Sequence, residues 1–85
     1  VTVKLKYFAW VRERIGTPEE EIVLPPDVVT VADLIQHLKT RGEEYVYAFE
    51  NDGIVRAAVD QRHAAAGADV RAAREVAFFP PMTGG

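Results

Sequence analysis

Residues 29–42, "VTVADLIQHLKTRG", read as a helix with one apolar side, and a chain of 85 residues has to build its core around such a helix. Thr30 is a good cap, and Asp33 three residues on completes the reciprocal pair of a capping box, with Val29 and Leu34 placed to staple the entry. Val31, Leu34, Ile35 and Leu38 form one stripe at helical spacing. Lys39 and Arg41 suit the negative end of the helix dipole, and Gly42 ends the helix. Before this helix, the period drops to two. "VTVKLKYF" puts Val1, Val3, Leu5 and Tyr7 on one face and Thr2, Lys4, Lys6 and Phe8 on the other, the pattern of a half-buried strand. "AWVRERIG" reads as a short helix with Phe8, Val11 and Ile15 on one side, closed by Gly16 in the left-handed conformation. "EEEIVL" is a second strand with Ile22 and Leu24 facing one way. Pro25-Pro26 ends it, because proline cannot donate to a ladder, and Glu19 to Glu21 are expected to solvate a sheet edge.

Beyond the long helix, "EEYVYAF" predicts a short helical turn with Tyr45, Val46 and Phe49 packing inward, followed by an Asn51-Asp52-Gly53 turn. "IVRAAVD" is a strand that Asp60-Gln61 turns into a short return strand at Arg62-His63. "AAAGADVRAA" is read as a surface crossing with Val70 tucked in. "REVAFF" is the last strand, with Val76 and Phe78 on one side and Ala77 and Phe79 on the other. Both sides are apolar, which suits a central strand or a strand whose second face meets a partner. The order predicts an α+β domain over residues 1–79, a mixed sheet packed on one main helix, with an extended tail over 80–85.

Several chemistries are excluded. The chain has no cysteine and no serine, so disulfides, thiolate sites and a Ser-His-Asp arrangement are absent. No glycine-rich phosphate loop is present, so the chain should not bind ATP itself. His37 and His63 lack a metal-ligand spacing, and no metal is expected. The net charge of -3 argues against nucleic-acid binding. No apolar run approaches the roughly 20 residues that span a bilayer, and the alternating N-terminus does not read as a signal-peptide core. The expectation is a cytoplasmic chain with no membrane or nucleic-acid partner, whose folded part carries no active site.

The sequence closes with "FFPPMTGG". Pro80-Pro81 fixes the backbone twice and should send the tail out in an extended direction. Met82 adds a flexible apolar side chain suited to a binding surface, and Thr83 leads to Gly84 and Gly85, which lack side chains that would clash in a narrow channel. A free α-carboxylate on Gly85, with a pKa near about 3.5, is ionised at neutral pH. It is a poor electrophile that must be activated, for example as an acyl-adenylate made by an ATP-binding partner.

"FFPPMTGG", "AAVDQ", "FAWVRERIG" and "TVADLIQHL" together resemble the family of molybdopterin synthase small subunits, ubiquitin-like sulfur carriers of β-grasp fold. The likeness runs through essentially the whole chain in one register. Gly-Gly alone is shared with ubiquitin-like modifiers and the thiamine sulfur carrier; Phe-Phe-Pro-Pro before it is more specific to the molybdopterin branch. The resemblance implies that a ubiquitin-activating-type adenylyltransferase, using ATP and Mg, adenylates Gly85, and that a sulfur donor then replaces AMP to leave a C-terminal thiocarboxylate. It implies that the tail, with Gly84 as its slender neck and Pro80, Pro81, Met82 and Thr83 as guides, inserts into a large synthase subunit in a complex of two small and two large subunits. There the sulfur passes to cyclic pyranopterin monophosphate and builds the dithiolene of the molybdenum cofactor. Phe79 is expected to dock on the partner, with Arg12 as a polar contact and His63 at a partner-facing position that is often apolar in the family. The isolated chain is not expected to be catalytic. Two further departures are Ala73-Arg74-Glu75, where the family often has a Gly-Asp-Glu turn, and Asp60, where it usually has Asn. Rival readings are a carrier for thiamine thiazole or another thiolated product, a protein modifier joined through Gly85, and a plain interaction module.

Overall fold

The computed structural model describes residues 2–81; Val1, Met82, Thr83, Gly84 and Gly85 lie outside the described residues. Five strands form one sheet in the order β2-β1-β5-β3-β4. β1 (Thr2–Tyr7) and β5 (Glu75–Phe79) run parallel at its centre. β2 (Glu19–Val23) pairs antiparallel with β1, and β3 (Arg56–Val59) lies antiparallel between β5 and β4 (Arg62–Ala64). α1 (Ala9–Ile15), α2 (Val31–Lys39) and α3 (Glu43–Ala48) lie between the strands in sequence. The sheet is thus mixed, and a compact α+β fold results.

The alternation in β1 is realised: Val3, Leu5 and Tyr7 are buried while Thr2 and Lys4 are exposed. α2 has both halves of its capping box, the Thr30 hydroxyl accepting from Asp33 N–H at 3.1 Å and the Asp33 carboxylate accepting from Thr30 N–H at 3.1 Å. Its stripe of Val31, Leu34, Ile35 and Leu38 is buried as the spacing predicts. The helix stops at Lys39, before Gly42, which serves instead as the cap of α3. Phe78 closes the centre of the core, stacked on Tyr7 at 6.2 Å and edge-on to Phe49 at 5.2 Å. Val70 anchors the 65–74 crossing with no exposure.

Two side chains depart from the sequence reading. Phe8 is not on the inner side of α1; it is extended backbone, and Ala9 turns the chain at φ 52°, a left-handed corner that breaks the helical spacing before Val11 and Ile15. Val46 is exposed, and the inner side of α3 is Tyr45 and Ala48, with Phe49 following.

Glu20 is not mere solvation of the edge. Opposite Leu5 in register, it turns toward the helices. Its carboxylate accepts from the Tyr7 hydroxyl at 2.8 Å, the Tyr45 hydroxyl at 2.7 Å and the Arg41 guanidinium at 2.9 Å. Burial, then the hydrogen bond and charge of Glu20, pushes the Tyr7 phenol far above the ordinary tyrosine range. Glu20 therefore ties the β2 edge to α3 and to the segment joining α2 and α3.

Candidate docking face and root of the tail

β5 leads into the tail, and its neighbours set where the tail starts. Arg56 and Phe79 form the last β3–β5 pair. Pro80 and Pro81 follow, half-buried and without N–H groups, so neither can donate to a neighbouring strand. Val76 and Phe78 point at the helices and are fully buried, which leaves Ala77 and Phe79 for the sheet's open face.

On that face Phe79 is half-buried and meets the His63 ring edge-on at 5.6 Å. His63 is exposed and stands opposite Ala58 on β3, which in turn stands opposite Ala77. The two alanines form a low floor beside the aromatic pair. Phe8 is the neighbour on the other side. Its N–H donates to the Phe78 carbonyl at 3.0 Å, continuing the β1–β5 pairing by one residue. Because Tyr7 points inward, the extended Phe8 points outward, and it is 47% exposed. Phe8 and Phe79 thus make an apolar platform at the end of the sheet from which the tail departs.

The described part of the expected partner-binding set is gathered around this platform. Arg12 N–H lies 3.4 Å from the Phe8 carbonyl, which places Arg12 one helical turn above Phe8. It is exposed and makes no ion pair among the described residues. Phe79, Pro80, Pro81, His63 and Arg12 therefore share one end of the molecule. Met82, Thr83, Gly84 and Gly85 lie outside the described residues. Phe8 was missed in sequence, although its polar-side position in the β1 alternation was a signal for it.

The opposite end of β5 explains two departures from the family pattern together. Asp60 and Gln61 turn the β3–β4 hairpin at φ 49° and 70°, left-handed values that the two central residues of a tight hairpin turn require and that the short polar side chain of Asp60 tolerates. The Asp60 carboxylate then accepts from the N–H groups of Arg74 at 2.9 Å and Glu75 at 3.0 Å. Asp60 therefore fixes the start of β5 where a glycine turn is lacking. A shallow depression of about 380 Å³ lined by Asp60, Gln61, Arg74 and Glu75 lies here, at the far end of β5 from the tail. Among the described residues no group of three His, Asp or Glu side chains is placed to hold a metal ion, and no helix is long and apolar enough to cross a membrane.

Residues 5–85 match the ThiS family. The chain is 40% identical over 83 residues to the molybdopterin synthase sulfur carrier subunit of Escherichia coli, covering 98% of this chain and 99% of that protein. A putative molybdopterin converting factor subunit 1 from Pyrococcus furiosus superposes with a TM-score of 0.74 at 35% identity, over 96% of this chain and 99% of the other. SAMP1 from Haloferax volcanii superposes with a TM-score of 0.72 at 26% identity, over the whole of both chains. The chain belongs to the ThiS family and, by homology, to its molybdopterin synthase sulfur carrier subunits.

Proposed function

We propose that Gly85 carries sulfur as a C-terminal thiocarboxylate and that this chain donates it, within a molybdopterin synthase, to cyclic pyranopterin monophosphate. One observation supports this above the others: adjacent residues of β5 do opposite jobs. Phe78 is sealed in the core, while Phe79 stands on an open apolar platform and leads directly into Pro80-Pro81. A partner that covers Phe8 and Phe79 receives the tail at a fixed origin. Pro80 and Pro81 keep the tail out of the sheet, Met82 and Thr83 guide it, and Gly84 passes a constriction that a side chain would block.

The chemistry starts from an unreactive carboxylate. An adenylyltransferase partner, with ATP and Mg, joins the Gly85 carboxylate to AMP with loss of pyrophosphate. Sulfide-level sulfur delivered by the donor as HS− then attacks the acyl carbon, the acyl C–O bond to AMP breaks, and loss of the S–H proton leaves the thiocarboxylate. Inside the large subunit the thiocarboxylate sulfur attacks a carbon of the pterin precursor and displaces an oxygen substituent, whose C–O bond breaks as the C–S bond forms. Water then cleaves the acyl–sulfur bond to restore the carboxylate and leave the sulfur on the precursor. A dithiolene holds two sulfur atoms, so two loaded chains are consumed per product, in keeping with an assembly of two small and two large subunits. The setting is cytoplasmic, and the chain itself binds neither nucleotide nor metal.

Co-expression with the activating enzyme and sulfur donor tests the loading step. The intact chain should become about 16 Da heavier, the sulfur-for-oxygen difference at the activated acyl carbon. A chain that stays at its carboxylate mass while the activating enzyme loads another carrier in the same cells contradicts the proposal. The likeness to SAMP1, a small archaeal modifier protein, favours a second reading in which Gly85 is joined to lysine amines. Lysine-linked conjugates ending in Gly84-Gly85 would distinguish it.

A further inference from the structure

The chain has ten Lys and Arg residues, and six of them (Lys4, Lys6, Arg14, Lys39, Arg41 and Arg71) are in ion pairs. Arg12, Arg56, Arg62 and Arg74 have no such partner among the described residues. Arg62 and Arg74 sit by the Asp60 hairpin, at the far end of β5 from the tail. Arg56 instead lies at the apolar platform, and Arg12 is one helical turn along α1 from Phe8. Arg56 is exposed and stands directly opposite Phe79 in register. His63 is diagonal to it across β3–β4 and packs on the Phe79 ring. The side chains of directly opposite and diagonal residues on one sheet face are within reach of one another. The acidic residues of this face lie elsewhere: Glu19 and Glu75 are held by Lys4 at 3.7 Å and Lys6 at 3.3 Å, and Glu21 is on the outer strand β2. Among the described residues, a chain of net charge -3 thus presents, beside the apolar platform, an exposed arginine with no ion-pair partner.

We propose that this arginine selects the partner by charge: Arg56, assisted by His63, receives a carboxylate of the large subunit, so the open face fits an apolar surface rimmed with Asp or Glu. The inference rests on the sulfur-donor reading above, and it makes Arg56 a specificity residue outside the tail. Exposed charges at the rim of an interface act mainly on the association rate, and salt screens them. A neutral rim on the partner would make the Arg56 variants associate alike, and a basic rim would make Arg56→Glu associate faster, so the sign of the effect separates these cases.

The test is stopped-flow association with the large subunit of the same organism, for the wild type, Arg56→Gln and Arg56→Glu, at low and high salt. Arg56→Glu should slow association about tenfold at low ionic strength, with the difference vanishing near about 0.5 M salt, and Arg56→Gln should fall between. Phe79→Ala should instead speed dissociation and keep the wild-type salt dependence. Thermal melts check that each variant is folded; Arg56→Gln, which keeps a long polar side chain, serves if the reversal is not. Equal association rates for all three proteins, or faster association of Arg56→Glu, overturn the charge inference while leaving the sulfur-donor reading intact. Failure of the wild type to bind the large subunit at all overturns both.

Discussion

Phe78 and Phe79 are neighbours of identical chemistry on opposite faces of one strand, and truncating each gives the sharpest separation of folding from docking. Phe78 has no exposure and contacts two aromatic rings, Tyr7 at 6.2 Å and Phe49 at 5.2 Å. Phe78→Ala removes a ring from a packed core and should cost about 3–5 kcal/mol. In a domain of this size each kcal/mol lowers Tm by about 4–8 °C, so a fall of at least about 12 °C is expected. Phe79 is half-buried and has one aromatic neighbour, His63 at 5.6 Å. Phe79→Ala loses that pair and part of one ring's burial, about 1–1.5 kcal/mol, which is a Tm change of roughly 4–12 °C. Its main effect should fall on the complex, where an aromatic anchor is worth about 1–3 kcal/mol, or roughly 5–150-fold in Kd. Thermal melts of the isolated chains and calorimetric titration into the large subunit, below the melting range of both variants, measure the two quantities. The reasoning is refuted if Phe79→Ala melts as low as Phe78→Ala and binds with unchanged affinity, for then Phe79 is core and the open face is not the docking face.

Three other outcomes follow from the same geometry. Glu20→Ala should cost about 2–4 kcal/mol in urea unfolding, because it strands the buried Tyr7 hydroxyl and loses the bonds to Tyr45 and Arg41. Glu19→Ala, removing only an exposed pair with Lys4, should cost under about 0.5 kcal/mol, and equal losses would show that Glu20 is ordinary edge solvation. The Tyr7 phenol stays protonated in the fold well past the point where an unfolded tyrosine ionises, so its stabilising contribution is complete below about pH 10. Above that pH the folded state binds more protons than the unfolded one, and stability should fall by up to about 1.4 kcal/mol per pH unit. Tyr7→Phe should flatten part of that slope, and an unchanged slope would contradict the assignment. Adding one residue after Gly85 moves the acyl carbon by about 3.5 Å and should abolish sulfur transfer without changing the melt; near-normal transfer by an untrimmed extended chain would contradict the role of Gly85.

Much of the frame was legible because it is written in local spacing. The Thr30–Asp33 box, the stripe from Val31 to Leu38 and the alternation from Val3 to Tyr7 each need only neighbours within a few residues. What was hidden depends on distance in the chain. Nothing in "EEE" marks Glu20 as the one that Tyr45 and Arg41, more than twenty residues on, would cover. Phe8 satisfied two patterns at once, the end of a strand and the start of a helix, and the left-handed corner at Ala9 decided for the strand. The substitution of Asp60 for the family's usual Asn and the loss of a glycine near Ala73 looked unrelated in sequence. The bonds from Arg74 and Glu75 N–H to Asp60 join them. The apolar end of the sheet was partly visible, since an apolar second face on β5 already marked Phe79, but its neighbours Phe8, Arg56 and Ala58 come together only through the register of the sheet.

The most direct test of the central claim is a single-turnover reaction. Purified chain bearing the thiocarboxylate is mixed with the large subunit and cyclic pyranopterin monophosphate, and intact mass and dithiolene product are followed together. The account predicts that the chain loses about 16 Da as sulfur leaves its acyl carbon, in step with product, with two chains discharged per dithiolene formed. Dithiolene formation while the chain keeps its thiocarboxylate, or from chain that never carried one, would contradict it.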